Sequence, residues 1–400
     1  MPVVQNMINL HFSDDCTGCM ACVDACPQQC ISLSEDRAGF IIPSIQKETC
    51  VKCGLCERIC PVVNHRVEAY DHRKCYAAYH KNEQIRNAGS SGSVFYALAE
   101  VVIQNGGAVY GAAFDDTLQL HHMRATSMND VRLQMKSKYI QSDTTGIYKQ
   151  VLADLREGKA VLFAGTPCQC LALHNMTPAK HRENLLLVDI ICHGVPSQKL
   201  FNMSIERFER NNDCKVSFFS FREKTKQSLR NYKIDYTTPD GHAISRIGEL
   251  DGFPFCVGYF NHYTIRNSCY ACKQRGTDRA ADITLGDFWG IQEIQPHISD
   301  FEKGYTSLIV NSERGNRSLQ QLSSCVICEI PGGVHFITEH NKAYTKPDEK
   351  SLMHQVFFWC MRRFGYEFCE KNFLTVSPSF SSRLMIALII RLDRIHKLFA

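Results

Sequence analysis

Eight cysteines near the amino terminus have the types and spacing to do chemistry. Cys16-Thr-Gly-Cys19-Met-Ala-Cys22-Val-Asp-Ala-Cys26-Pro27 and Cys50-Val-Lys-Cys53-Gly-Leu-Cys56-Glu-Arg-Ile-Cys60-Pro61 both read C-x2-C-x2-C-x3-C-P, an internal repeat offset by 34 residues. Three thiolates at this spacing wrap one iron–sulfur cube, and the fourth, a helical turn later, faces the companion cube. Ligation is therefore expected to cross between the repeats. One [4Fe–4S] cluster falls to Cys16, Cys19, Cys22 and Cys60, the other to Cys50, Cys53, Cys56 and Cys26. Each proline closes its ligand loop, since it has no N–H to donate and a fixed φ. A pair of zinc sites would leave the third cysteine of each triplet and both prolines unexplained.

Between the repeats, Cys30-Ile-Ser-Leu and Gly39-Phe-Ile-Ile-Pro43 alternate like short strands around a polar turn. With the repeats, they make residues 10–66 resemble a bacterial dicluster ferredoxin module, which carries electrons and catalyses nothing alone. A segment this short has no deep core and depends on its clusters to stay folded. Cys30 has no partner in the pattern and reads as a small buried thiol.

Twenty-one cysteines in 400 residues is far above chance for a cytosolic enzyme. Met1-Pro2-Val3-Val4-Gln5-Asn6 lacks the basic and apolar regions of a secretory signal, so a reducing cytoplasm is expected. The best uncharged apolar run, Leu384 to Ile390, is seven residues against the about 18 a bilayer requires. With 44% apolar and 22% charged residues, disorder, collagen and coiled coil are excluded. A net charge of +4 gives no footprint for nucleic acid.

The elements that must position further chemistry lie past Tyr70, where helical and strand-like stretches alternate as in an α/β layer. Val94 to Gln104 has helical period, and Gly106-Gly107 stops it before a strand at Ala108 to Phe114. A helix at Gly146 to Arg156 leads to a strand at Ala160 to Ala164. A third strand, Leu185 to Ile191, precedes Pro196-Ser197 and a helix ending near Arg210. Cys168 and Cys192 each directly follow one of these strands, where open α/β sheets bind ligands. With Cys269-Tyr-Ala-Cys272 they form a candidate third [4Fe–4S] site. Zinc, a redox disulfide or simple burial would equally use a lone CxxC plus two scattered thiols. Cys325-Val-Ile-Cys328 is a rival pair in an apolar, strand-like stretch. Cys75, Cys170, Cys214, Cys256, Cys360 and Cys369 read as buried structure.

Five ordered motifs then carry a family resemblance: Ser137-Lys-Tyr-Ile-Gln-Ser142, Gly165-Thr-Pro-Cys-Gln169, Cys192-His-Gly-Val-Pro-Ser197, Cys269-x2-Cys272 and Asp282-Ile-Thr-Leu-Gly-Asp-Phe-Trp-Gly290. Across about residues 75 to 345 the chain resembles the family of coenzyme F420 hydrogenase/dehydrogenase beta subunits, in which ferredoxin-fused members are common. The resemblance implies a flavin, normally FAD, beside a cluster. Members act on deazaflavin, on chlorophyll precursors or within hydrogenase complexes, and ferredoxin-fused ones also occur beside surface-polysaccharide genes.

No G-x-G-x-x-G follows the first strand, so FAD would use other loops. Gly89-Ser-Ser-Gly-Ser93, before the Val94 helix, offers Ser91, Gly92 and Ser93 to phosphates, or a plain N-cap. Lys138, beside Tyr139, could place a cation near the flavin N1/O2 locus, or be solvated. Asp287, Phe288 and Trp289 suit stacking on an isoalloxazine or holding a loop. His193 could relay a proton or orient its loop.

Residues 1–70 are thus expected to form the ferredoxin domain, 71–160 and 161–345 the two parts of an α/β domain with a largely parallel sheet, and 346–400 a helical basic tail. Leu384, Leu388, Leu392, Ile395 and Phe399 share one face of the tail, fit for packing on protein or for docking at a membrane surface. The reading is a cytoplasmic iron–sulfur flavoprotein oxidoreductase taking electrons from a ferredoxin-like donor to an unassigned small-molecule or glycan-pathway substrate. The alternatives are a relay protein without a substrate of its own, or a scaffold retaining only the ferredoxin function.

Overall fold

A strand buried on both faces has to be apolar along its length, and Leu185–Ile190 has that texture. In the computed structural model, which describes residues 15–65, 67, 69–294, 300–376, 379, 381, 382, 384–388 and 391, this strand lies inside an eight-stranded sheet. In chain order the strands are β1 (Ile31–Glu35), β2 (Ile41–Ile45), β3 (Lys74–His80), β4 (Ala108–Phe114), β5 (Leu120–Ala125), β6 (Val161–Gly165), β7 (Leu185–Ile190), β8 (Lys215–Glu223), β9 (Asn231–Thr237), β10 (Ala243–Glu249), β11 (Ile283–Asp287), β12 (Thr306–Val310) and β13 (Cys325–Glu329). The large sheet has the order β13-β3-β12-β11-β7-β6-β4-β5. β4, β6, β7 and β11 pair in parallel, as the α/β reading expects. The flanking pairs β4/β5, β11/β12, β12/β3 and β3/β13 are antiparallel.

The helix over Val94–Gln104 buries Val94, Tyr96, Ala97, Leu98 and Val102, and its core cluster includes Val109, Leu162 and Val188 of the sheet. Gly106, at φ +72°, turns the chain back into β4. The opposite core gathers Tyr148, Phe163 and Leu187 with Cys19, Ala21 and Ile59 of the amino-terminal module. A second antiparallel sheet, in the order β10-β9-β8, fills residues 215–249, where the sequence reading placed no element. Its inner face and the helices Gln198–Asn212 and Leu352–Phe373 enclose Phe201, Phe219, Phe221, Phe255 and Phe357. Truncating one of these rings to Ala would cost roughly 3–5 kcal/mol.

The amino-terminal module is a β1/β2 hairpin plus two one-turn helices, Ala21–Ala25 and Leu55–Ile59, each entered through a left-handed residue, Met20 or Gly54. Cys26 and Cys60 terminate these helices, the helical turn that the spacing implied. The module is fastened to the body by Asp24, whose carboxylate accepts from the N–H groups of Gly146 and Tyr148 at 2.7 and 3.0 Å. A module side chain therefore caps the body helix Ile147–Arg156.

After Pro347 the chain is helical over Leu352–Phe373, interrupted at Gly365. Of the expected tail face, Leu384 and Leu388 are exposed, and Leu392, Ile395 and Phe399 lie outside the described residues. Among the described residues no helix is long and apolar enough to cross a membrane.

Candidate functional site

The charges acting on each thiol show which sulfurs face one another. Burial first, then Cys16, Cys60 and Cys56, push the Cys22 thiol up to about 12. Cys19 is raised by burial, then by Cys168, Cys22 and Cys60. Cys16, Cys19, Cys22 and Cys60 thus share one neighbourhood, the crossed arrangement that the repeat implied. The other set surrounds a small cavity lined by Cys26, Cys50, Cys53 and Cys56, and also by Cys30. Cys30 is buried as expected, but its sulfur lies 3.4 Å from that of Cys26, so this cavity has five thiols rather than four.

The third set is assembled by tertiary structure. Cys168 stands in the first turn of the helix Pro167–Met176 after β6, and Cys192 follows the adjacent strand β7. Cys269 and Cys272 come from a 3-10 turn over Asn267–Ala271. An Ile265–Pro196 bridge and an Arg266 N–H to Val195 carbonyl bond hold that segment to the β7 loop. Gly194 sits at φ +102°, where a Cβ would meet Ile265 and Cys269 at 2.8 and 3.2 Å, so the close approach needs glycine. Burial leads in raising Cys168 to about 12, followed by the charges of Cys272 and Cys192. Cys269 is raised by burial, then by Cys192, Cys272 and Cys168. Backbone N–H groups of Gly18 and Gly194 point at the sulfurs of Cys16 and Cys192 at 3.3 and 3.4 Å, bonds that favour a negative sulfur.

Among the described residues no three His, Cys, Asp or Glu side chains converge on a single metal ion. Cys325 and Cys328 sit on β13, at the far edge of the sheet from β6, one buried and one exposed. The rival pair is therefore not beside Cys168 and Cys192. Cys75, Cys170, Cys256, Cys360 and Cys369 are buried, and Cys214 is half-buried.

Against the third set opens a cavity of about 390 Å³, within the usual range for ligand sites of about 300–1,000 Å³. Its floor is the carboxyl end of β6 and β7 with Cys192 and His193, one wall is Lys136–Ile140, and Arg222, Tyr259, Asp287 and Trp289 face them. Tyr139 stacks on Tyr259 at 4.7 Å. Arg222, 3% exposed, ties the walls together: it pairs with Asp287 at 2.7 Å and donates to Tyr139 Oη and the Ser90 carbonyl. The sequence reading missed Arg222 because it stands alone on β8, outside every motif. It also missed His122, whose Nε2 donates to the Ala164 carbonyl and whose Nδ1 accepts from Ser142 Oγ, itself bonded to Gln169. Burial first, then Lys138 and His121, push His122 down to about 4.

The expected flavin residues divide. Ser91, Ser93, Lys138, Tyr139, Asp287, Trp289 and His193 line the cavity. Gly92 does not: its N–H is bonded to Thr306 Oγ1, and a Cβ there would strike the Ala78 carbonyl at 2.2 Å, so it seats the loop on the sheet. Ser93 is no side-chain cap either, since its hydroxyl turns back to the Ile85 carbonyl. Ser91 donates to the Tyr305 carbonyl. The Lys138 ammonium, expected to face the flavin, donates instead to the carbonyls of Ala112, Leu133 and Met135 at 2.6–3.0 Å, which uses all three of its protons. Burial, then Lys136, lower it to about 7. His193 is lowered to about 4 by burial, then by Arg275.

Residues 15–64 match the 4Fe-4S dicluster domain, and residues 158–332 match the C terminus of the coenzyme F420 hydrogenase/dehydrogenase beta subunit. The chain is a ferredoxin-fused member of the family of F420 hydrogenase/dehydrogenase beta subunits. This family member is 26% identical over 314 residues to the F component of F(420)H(2) dehydrogenase from Methanosarcina mazei, covering 72% of this chain and 81% of that protein. A chain from the xenon-derivatized F420-reducing [NiFe] hydrogenase complex of Methanosarcina barkeri aligns with a TM-score of 0.44 and 17% identity, over 69% of this chain and 89% of that one. The chain is accordingly an iron–sulfur electron-transfer protein of the oxidoreductase class.

Proposed function

We propose that this protein is an iron–sulfur flavoprotein oxidoreductase with three [4Fe–4S] clusters and one FAD. Its ligands are the quartets Cys26/Cys50/Cys53/Cys56, Cys16/Cys19/Cys22/Cys60 and Cys168/Cys192/Cys269/Cys272. The observation that carries the reading is the double position of Cys192, in the third quartet and in the floor of the large cavity. Clusters move single electrons and a flavin exchanges two, so together they join a one-electron donor protein to a two-electron reaction. The chain's own part is to hold the three sites in line: Cys19 faces Cys168, and the Ser268 hydroxyl donates to the Cys16 carbonyl at 3.0 Å. Exposed Cys53 marks the first quartet as the entry side. The apolar Tyr139–Tyr259 wall stacks a ring, while Arg222 and Asp287 fix that wall and exclude water. The first turn of the Val94 helix presents amides to anionic phosphates.

The substrate proposed is a small molecule of the deazaflavin type, the kind named in the Methanosarcina mazei relative. Anaerobic purification should yield about twelve irons and one flavin per chain. About eight irons with no flavin would overturn the reading. The same relative is named as one part of a larger enzyme, which favours a second reading as an electron relay. Reoxidation of the reduced protein by oxidised deazaflavin without added protein supports the enzyme, and strict dependence on a partner protein supports the relay.

A further inference from the structure

A buried cation without a carboxylate partner marks the junction between module and body. Arg266 is 3% exposed. Its Nε donates to Gln141 Oε1 at 2.9 Å, Nη1 to the Cys16 carbonyl at 3.2 Å and Nη2 to the Ile41 carbonyl at 2.9 Å. The guanidinium lies over the Phe40 ring, 4.7 Å from its centroid. All these acceptors are neutral. Among the described residues no carboxylate oxygen lies within the 4.0 Å of an ion pair with it. The nearest acid, half-buried Asp36, spends its Oδ1 on the N–H groups of Ala38 and Phe40. A cation so placed needs a counter-charge, because desolvation is otherwise uncompensated.

The groups that act on Arg266 supply one: they are Cys16, Cys269, Asp36 and Cys168, three thiols drawn from two different quartets. The approach is also built sterically. A Cβ at Gly18, in the Cys16–Cys19 loop, would lie 2.5 Å from Arg266 Nη2 and 2.4 Å from Gln141 Nε2, so glycine admits the guanidinium to the ligand loop. Gln141 braces the other side, donating to the carbonyls of Thr17 and Gly18.

We propose that Arg266 is a positioning residue whose fixed positive charge lies between the second and third clusters, is balanced by them, and raises the reduction potential of both. The proposal rests on the three-cluster reading above. A four-thiolate cluster is anionic in both oxidation states and gains one negative charge on accepting an electron, so a nearby cation favours the reduced form on either side. It also offsets the repulsion between two reduced neighbours. The entry cluster, whose ligands are not among the groups acting on Arg266, is affected least.

The test is an anaerobic redox titration of the full-length holoprotein, followed by electron paramagnetic resonance with iron counting, for the wild type, Arg266→Gln and Arg266→Lys. A Cys269→Ala sample assigns the third-cluster signal. Opposite charges at short range shift ionisation equilibria tenfold or more. The reduction equilibria of the second and third clusters should therefore fall about tenfold in Arg266→Gln, a downward shift of about 59 mV for a one-electron couple. The entry cluster should move less, and Arg266→Lys should stay near the wild type. Loss of iron in Arg266→Gln but not in Arg266→Lys also supports the proposal, since the charge then holds the clusters. Unchanged potentials with full iron in Arg266→Gln, or equal effects in both variants, overturn it. Wild-type protein with about eight irons would instead overturn the three-cluster reading, whatever Arg266 does.

Discussion

The ligand sets of the module and of the body solve the same problem in opposite ways. In the module, each set of three thiols comes from seven consecutive residues, with the fourth at the end of a single helical turn. In the body, the four thiols come from two strand ends and a distant 3-10 turn, and the sheet brings them together. The first kind of site is written locally and has almost no core beneath it. The second is a by-product of a large core that folds without it, and the difference teaches that iron should be structural in one region and dispensable to folding in the other.

The largest effect expected follows from that contrast. Stripping iron with a chelator should abolish hydrogen-exchange protection across residues 15–64 while the strands β4, β6 and β7 stay protected. Equal loss in both regions would break the comparison. Next, Cys269→Ala should remove about four of about twelve irons and leave the melting of the body nearly unchanged, by iron counting and circular dichroism. Within the module, Cys26→Ala should lose less iron than Cys56→Ala, because the Cys30 sulfur is already 3.4 Å from that of Cys26. A double substitution of Cys26 and Cys30 should remove that advantage.

A smaller effect separates the two repeats from each other. Gly18 and Lys52 occupy equivalent positions, both left-handed at φ +65° and +53°, as do Met20 and Gly54 at +60° and +71°. Both repeats thus accept a side chain where space allows, at the usual left-handed cost. Gly54→Ala meets nothing within 4 Å and should cost about 1 kcal/mol. Gly18→Ala drives into Arg266 and Gln141 and should cost about 3 kcal/mol in denaturant titrations.

The smallest effect concerns acid and the body. His122 is held neutral in the folded state and lowered to about 4, below its ordinary 6.5. Its contribution is therefore complete above about pH 6.5 and is lost as pH falls toward 4, because the unfolded chain takes up the proton first. Between pH 7 and pH 5 the body should lose about 2 kcal/mol. His122→Gln should flatten this slope in thermal melts, and an unchanged slope would assign the acid sensitivity elsewhere.

Much of the site was legible as sequence because its residues sit in short motifs after strands. Cys168 and Cys192 could be placed from the rule that ligands gather at the carboxyl ends of parallel strands, and that geometry is present. The fate of individual polar groups was not legible. Lys138 and Gly92 lie in the right loops, yet their donors are consumed by carbonyls and a hydroxyl, some from elements far along the chain. Arg222 and Arg266 carry no local signal, since an arginine in a strand or a turn reads as surface until its surroundings are known. The β8–β10 sheet went unseen because half of its residues face solvent and it joins no βαβ rhythm.

By itself the sequence determined the two ligand loops of the module, the helix–strand alternation of the body and the turns that end its elements. These depend on contacts within a few residues, where spacing and φ preference suffice. Only the tertiary structure decided which thiols meet across the module–body junction, which donors stay open to the cavity, and where a lone buried guanidinium finds its counter-charge. Those outcomes are set by groups up to 250 residues apart, as between Arg266 and Cys16, and no local pattern records such a distance.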